Sequence, residues 1–413
     1  MKTTCPHRRY GHSARNRHRA RRGAAVGILV ASLVIIAGLV AVTWGVANLS
    51  LTQRQLQSAC EAAALAGAAE LMDDDVLYGR LNPSDDVAAA RAICQAYASV
   101  NPSYGQPTLL DLNQGNDPRG DVVIGYVPNP RWVKTPLDVW QGKGPANSIW
   151  VKASRSRLRG NPVSLWLGGL LGVGTGDVAA AARASLDHRV YGFRPELHTS
   201  VPLVPLAAAS QAWHDQAGAE ATEGENDNFT VDYRRGYVFD GGDGIPEIII
   251  RANLPGGAGS ASQEDSEQND KFLSLVLSNN SFNESVRQRE TATGLRREDL
   301  AQLGGEFSLG YDGTLMLPAV DTLDGSWCDV LWSIRGSIRV WPLGSAAKLA
   351  NDDPGCQVTG YGAAVVVHTK IDDTVEPAQL VVTLQPALLA TSTALTRDNA
   401  AENPWIAKLS LTE

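Results

Sequence analysis

A chain of 413 residues with 44% apolar but only 6% aromatic side chains, 40 glycines and 21 prolines can bury a sizeable core in one or two turn-rich domains of short strands. Its formal charge of -8 is uneven: the first 22 residues carry eight cations and no acid, leaving 28 basic against 44 acidic residues, a formal -16, for the remainder. So acidic a body excludes nucleic acid or an anionic membrane surface as the partner of that part.

The N-terminal arm holds Lys2, Arg8, Arg9, Arg15, Arg17, Arg19, Arg21 and Arg22, and its Cys5, His7, His12 and His18 lack the spacing of a zinc site. Residues 24–49 then run for 26 positions without a formal charge. At 1.5 Å per residue that is roughly 39 Å of helix, enough to cross a ~30 Å hydrocarbon core. Cations on the near side keep the N-terminus in the cytoplasm and contact anionic lipid headgroups. A signal peptide would have an apolar core of about 7–15 residues ending in a small-residue cleavage site. Here the core is nearly twice as long, and the next A-x-A pattern, Ala66-Gly67-Ala68, lies well beyond it. The expectation is a retained single-pass anchor in the cytoplasmic (inner) membrane, with the C-terminal region extracytoplasmic.

The helix is expected to continue outside, because Leu49 to Met72 contains no Pro and a single Gly. Leu49, Thr52, Leu56, Ala59, Ala63 and Ala66 recur at three- and four-residue spacing, so small side chains line one face. Within the span, Gly23, Gly27 and Ala31 follow small-xxx-small spacing, which lets other thin helices approach. Asp73-Asp74-Asp75 opposes the negative helix end and should stop the rod. A second helix should start at Asn82-Pro83-Ser84-Asp85-Asp86, with Ser84 as cap. On antiparallel helices Cys60 and Cys94 then fall at similar height, which predicts a disulfide. The alternative is two separate thiols packed as small apolar groups.

After Pro102 apolar runs alternate with Gly, Pro and Asn clusters. Strands are expected at 121–127, 148–156, 177–186, 229–239, 245–252, 337–341, 358–370 and 379–385, and helices at 162–171 and 272–289. Residues 253–270 read as an exposed Gly/Ser/acidic loop. The predicted class is α+β: one N-terminal transmembrane helix extended into a long helical hairpin, then a β-rich, mostly antiparallel extracytoplasmic region. The expected divisions are a basic cytoplasmic arm (1–22), transmembrane helix (23–49), juxtamembrane hairpin (50–101), first β-rich region (102–200) and second β-rich domain (201–413). The last boundary is placed where Pro195, Pro202 and Pro205 cluster.

Candidate chemistry is sparse. Asp240-Gly-Gly-Asp243-Gly-Ile-Pro-Glu247 resembles extracellular calcium loops written D-x-D-G-D-G-I-P-D. It offers three carboxylates where calcium wants six to eight oxygens, and Phe239 and Gly241 stand where two ligands belong. The plainer reading is a hairpin turn between Tyr237–Phe239 and Ile248–Ile250. Cys328 could pair with His368 as thiol and base, but a bridge to Cys356 is favoured. It would close a loop of about 28 residues and stabilise by roughly 3 kcal/mol. Gly168–Gly176 lacks the Lys-Ser/Thr of a phosphate loop, and no G-x-S-x-G or H-E-x-x-H occurs. His188, His198 and His214 are scattered singly. No enzyme activity is expected, and no cofactor other than the calcium alternative.

Two motifs carry a resemblance. Arg21-Arg22-Gly23-Ala24-Ala25-Val26 is similar to the R-R-G-A-A-A-V-E that opens the apolar helix of TadE/TadG-like proteins of Flp (tight adherence) pilus assembly. Leu56 to Ala68, LQSACEAAALAGA, is similar to their L-Q-N-A-A-D-A-A-A-L-A-A-A just beyond the span. Residues 148–156 and 177–183 look like the family's V-x-V-x-A and D-V-x-A-x-A strands, whereas 278–281 and 304–317 resemble large members only loosely. The resemblance implies a non-enzymatic envelope component whose N-terminal helix meets the lipid bilayer and pilus-assembly membrane proteins or pseudopilins. Two features depart from it. Ile28 stands five residues after Gly23, where a prepilin peptidase signal has Glu, and the D-x-S-x-S metal site of some TadG-like proteins does not occur. The rival reading is a membrane-tethered binding module for a glycan or surface protein.

Overall fold

The computed structural model describes residues 15–72, 77, 83–132, 135–142, 145–165, 172, 174–255, 271–320, 323–349 and 353–412. Cys5, Asp73–Asp75, residues 166–171 and most of the 253–270 loop lie outside them. By its internal contacts the chain forms two compact units. One comprises residues 1–59, 100–108 and 153–180, the other 60–99, 109–152 and 181–413.

Helix α1 runs unbroken over 56 residues, Arg15–Glu70, about 84 Å at 1.5 Å per residue. From Val26 it is long and apolar enough to cross a membrane. It stops at Glu70, and Leu71 N and Met72 N close the last turn by donating to Ala68 O and Ala69 O, both at 3.2 Å. Helix α2, Pro83–Val100, begins one residue before the expected cap. Pro occupies its first position, where a missing N–H costs nothing, and Asp85 and Asp86 sit in its positive first turn.

The first unit gathers small elements around residues 45–59 of α1. Arg155 holds the 103–106 turn: Nε donates to Ser103 Oγ (2.8 Å), and Nη2 donates to Ser103 O (2.6 Å) and Gln106 O (3.0 Å). The expected helix over 162–171 is not formed where it is described. Val163–Ser164 is instead a short strand paired antiparallel with Thr175–Gly176. Gly176 lies close to α1: a Cβ there would come within 2.7 Å of Leu49 Cδ2, so the leucine side chain would have to shift.

The second unit is built on mostly antiparallel sheets. A six-stranded sheet has the order Leu389–Thr391, Ile406–Leu411, Val178–Asp187, Ser148–Arg155, Val122–Tyr126, Asp138–Val139. Two of its strands come from the C-terminal end of the chain, so the unit does not break at 195–205 as the proline cluster suggested. A seven-stranded sheet has the order Ile248–Asn253, Gln379–Pro386, Pro354–Asp372, Leu315–Val320, Phe272–Leu275, Leu206–Ala209, Ile338–Lys348. Pairing of Ile338–Lys348 with Pro354–Asp372 closes five of these strands into a ring.

Alternation along the strands separates two cores. Ala207, Val340 and Ala363 face one cluster, with Phe193, Phe307 and Tyr361. Leu206, Ala208, Trp341 and Ala364 face the other, covered by Trp213 of α3 (Ser210–Ala217) and by Trp327 and Leu331 of the seven-residue helix Trp327–Ser333.

Two expected elements divide. Residues 229–239 form not one strand but a hairpin, Phe229–Asp232 against Tyr237–Asp240, because Gly236 at φ +69° lets the chain turn. Residues 272–289 begin as the strand Phe272–Leu275. The polar run Ser278-Asn279-Asn280-Ser281 then breaks the helical pattern, and helix Glu284–Thr293 starts only after Asn283, whose side chain caps Ser285 N.

Candidate functional site

The upper half of α1 is an open apolar collar. Ile28 is 69% exposed, Leu33 66% and Trp44 57%. Its polar groups are satisfied within the helix, since Ser32 Oγ donates to Ile28 O and Thr43 Oγ1 to Leu39 O, both at 2.8 Å. Hydrocarbon demands this, because it offers no water to a stray hydroxyl. Ala31 is exposed, and a Cβ added at Gly27 would meet nothing within 4 Å. The surroundings of Gly23 lie outside the described side chains.

Below the collar the small residues turn inward. Ala59 and Ala63 are fully buried and Ala66 half-buried. In the second unit α2 lies against residues 60–70: Cys94 Sγ donates to Ala63 O at 3.3 Å, and a Cβ on Gly67 would overlap that sulfur. Cys94 is therefore level with Ala63 and Gly67, up to two turns beyond Cys60. The expected Cys60–Cys94 disulfide is not formed, because the two helices are staggered rather than flush. Burial pushes the Cys94 thiol up to about 12, against a smaller downward pull from Arg91.

Arg91, on the buried face between Val87 and Cys94, fastens α2 to the sheet. Nη1 donates to Leu112 O and Val122 O and Nη2 to Asn116 Oδ1, each at 2.8 Å. Asn116, held at φ +51°, also accepts from Ile124 N at 2.9 Å and donates to Ile124 O and Trp140 O. Burial lowers the Arg91 guanidinium from its ordinary value. Sequence reading passed over both residues. The available signal was one cation at helical spacing on an otherwise apolar face.

A long exposed apolar helix, doubled back and bolted to a sheet, is the architecture to which family comparison speaks. Residues 23–70 match the family described as Flp pilus-assembly TadE/G-like, and residues 48–184 match a Tad-like Flp pilus-assembly family. Over residues 23–184 the chain is thus similar to Tad-like Flp pilus-assembly proteins. The matches take in α1, α2 and the first sheet strands, and residues 185–413 lie outside both. No curated protein and no solved structure matches. Tad pilus-assembly families are generally non-catalytic.

The C-terminal candidates make contacts within the fold. Asp240 and Phe229 pair in the 229–240 hairpin, while Ile248–Asn253 pairs with Gln379–Pro386, so the expected turn between 237–239 and 248–250 is not made. Asp243 Oδ1 accepts from Ile245 N (3.0 Å) and Oδ2 from Gln385 Nε2 (2.7 Å). Glu247 Oε1 accepts from Asn228 N (2.6 Å) and Phe229 N (2.7 Å). Burial raises both carboxyls above their ordinary values, against the pull of these donors. Asp240, Asp243 and Glu247 do not converge, and among the described residues no three His, Cys, Asp or Glu side chains are placed to share a metal. In this arrangement Asp243 and Glu247 accept hydrogen bonds that order the loop.

Cys328 and Cys356 are also not bridged. Cys356 packs into the core on one face of the seven-stranded sheet and Cys328 against the core on the other, where its Sγ donates to Thr369 Oγ1 at 3.4 Å. Burial pushes the Cys356 thiol up to about 12. A buried carboxyl that sequence reading missed is Glu290, 1% exposed, which accepts from Ser281 Oγ at 3.2 Å. Burial first, then the neighbouring Asp299, raise it to about 7, against Arg289 and Arg287.

Proposed function

We propose that this chain is a non-enzymatic component of Flp/Tad-type pilus assembly or anchoring, held in the cytoplasmic membrane by a single span with its N-terminus inside. The observation that carries the reading is the contrast along α1. Ala59, Ala63, Ala64 and Ala68 are used up inside the chain, whereas Gly27 and Ala31 stay open on an apolar surface. Lipid tails are as apolar as the helix, so attraction in the bilayer comes from close backbone approach, which small residues permit. The open segment is thus a docking face for other transmembrane helices of the pilus machinery.

Gly27→Leu tests this. It adds a side chain where nothing stands within 4 Å, so the protein itself should fold and insert normally. The expected result is loss of piliation and of co-purifying inner-membrane pilus proteins at unchanged abundance. A reporter fused after Met72 should be active only outside the cytoplasm. Normal piliation by the variant, or a cytoplasmically active reporter, overturns the reading.

A further inference from the structure

The C-terminal unit has a groove of about 390 Å³ that the pilus reading does not use. On its rim stands Tyr311, 94% exposed. Beside it the Arg397 guanidinium lies between two tyrosine rings, 4.8 Å from that of Tyr191 and 5.9 Å from that of Tyr311. Arg397 Nη1 donates to Leu309 O at 3.3 Å, and Nε is buried with no acceptor. Among the described residues no carboxylate comes within ion-pair distance of it. Asp312, also lining the groove, is held in place by Thr314, whose N and Oγ1 donate to it at 3.1 and 2.9 Å.

These parts form a recognisable set. A flat ring open to solvent can stack on the C–H face of a pyranose. A guanidinium fixed by two rings and a carboxylate fixed by two donors can hydrogen-bond adjacent sugar hydroxyls without losing much side-chain freedom. Charge decides the class of sugar. Asp312 and Glu402 share the lining with Arg397, so an acidic ligand gains little there and an uncharged polyol loses nothing. We propose that this groove binds a neutral glycan, with Tyr311 as stacking platform and Arg397 and Asp312 as its hydroxyl partners. This second activity is independent of the docking face on α1. It would give a membrane-anchored chain a hold on polysaccharide outside the membrane.

The test uses the full chain in lipid nanodiscs, which avoids sugar-based detergents. Calorimetric titration with chitotetraose, cellotetraose and maltotetraose should show saturable binding of at least one of them. Tyr311→Ala, at a 94% exposed position, should weaken that binding at least tenfold without changing the thermal melt. Arg397→Gln should weaken it as well. Trp132→Ala, which removes a 65% exposed ring outside the groove, should leave it unchanged. Absence of saturable binding to all three sugars, or undiminished binding by Tyr311→Ala, overturns the proposal. So does an aromatic peptide that binds in their place with the same sensitivity to Tyr311. Piliation is not read in this assay, so either reading can fail without the other.

Discussion

The stagger of the helical hairpin can be tested by reversing the sign of one substitution. Gly67→Ala removes a helix-interior glycine, which is worth about 1 kcal/mol in favour of the variant. The added Cβ would overlap the Cys94 sulfur and lie 3.0 Å from Ile149 Cδ1 and 3.2 Å from Ala90 O. Overpacking of this kind costs about 1–3 kcal/mol, so the net effect should be a loss of about 1 kcal/mol. In a Cys94→Ala background the sulfur is gone, and the flexible end of Ile149 and the Ala90 carbonyl need give by only a few tenths of an ångström. There Gly67→Ala should stabilise by up to about 1 kcal/mol, a coupling of about 2 kcal/mol between the two positions. The assay is a double-mutant cycle on the full chain, with melting followed by circular dichroism and ~2–4 °C expected per kcal/mol for a unit of this size. Equal effects of Gly67→Ala in both backgrounds would refute the placement of Cys94 over Gly67, and with it the reason no bridge forms to Cys60.

Three further outcomes are expected. Native alkylation without reductant should label half-exposed Cys328 quickly and leave buried Cys60, Cys94 and Cys356 protected until denaturation; a bridged pair in the intact mass would contradict this. Glu290 holds a proton up to about pH 7 in the fold against an ordinary 4.5, so the unfolded chain releases it first. Its contribution is therefore full below pH 4.5 and is lost as pH rises through 7, and Glu290→Gln should flatten the fall in melting temperature over that window. Calcium chelation should leave the melting temperature unchanged, whereas Glu247→Gln should cost about 1–3 kcal/mol by weakening the acceptor of two backbone N–H groups; a calcium-dependent rise in melting temperature would restore the metal reading.

The span and the alternating strands were legible because burial repeats with a fixed period. Residues 148–155 and 379–386 are strands within one residue of expectation, and the uncharged run after Gly23 is helix throughout. Cysteine pairing was not legible. Spacing along two helices gives relative height only if they start flush, and parity along a strand is blind to which core each cysteine faces. The same blindness hid Arg91 and Asn116, whose bonds reach 21 to 31 residues along the chain for the arginine. The calcium motif is ambiguous for another reason. Carboxylates among glycines serve equally as acceptors for the loop's own N–H groups, and only the fold shows that those donors arrive first.

The central claim is that the open segment of α1 meets other helices of the pilus machinery. It is tested most directly by a photo-crosslinking amino acid placed at Ala31 in piliated cells, beside the open Gly27. The account predicts discrete adducts with pilus-assembly membrane proteins or pilin-like subunits, abolished by Gly27→Leu. Adducts with lipid alone, in cells that assemble pili normally, would contradict it.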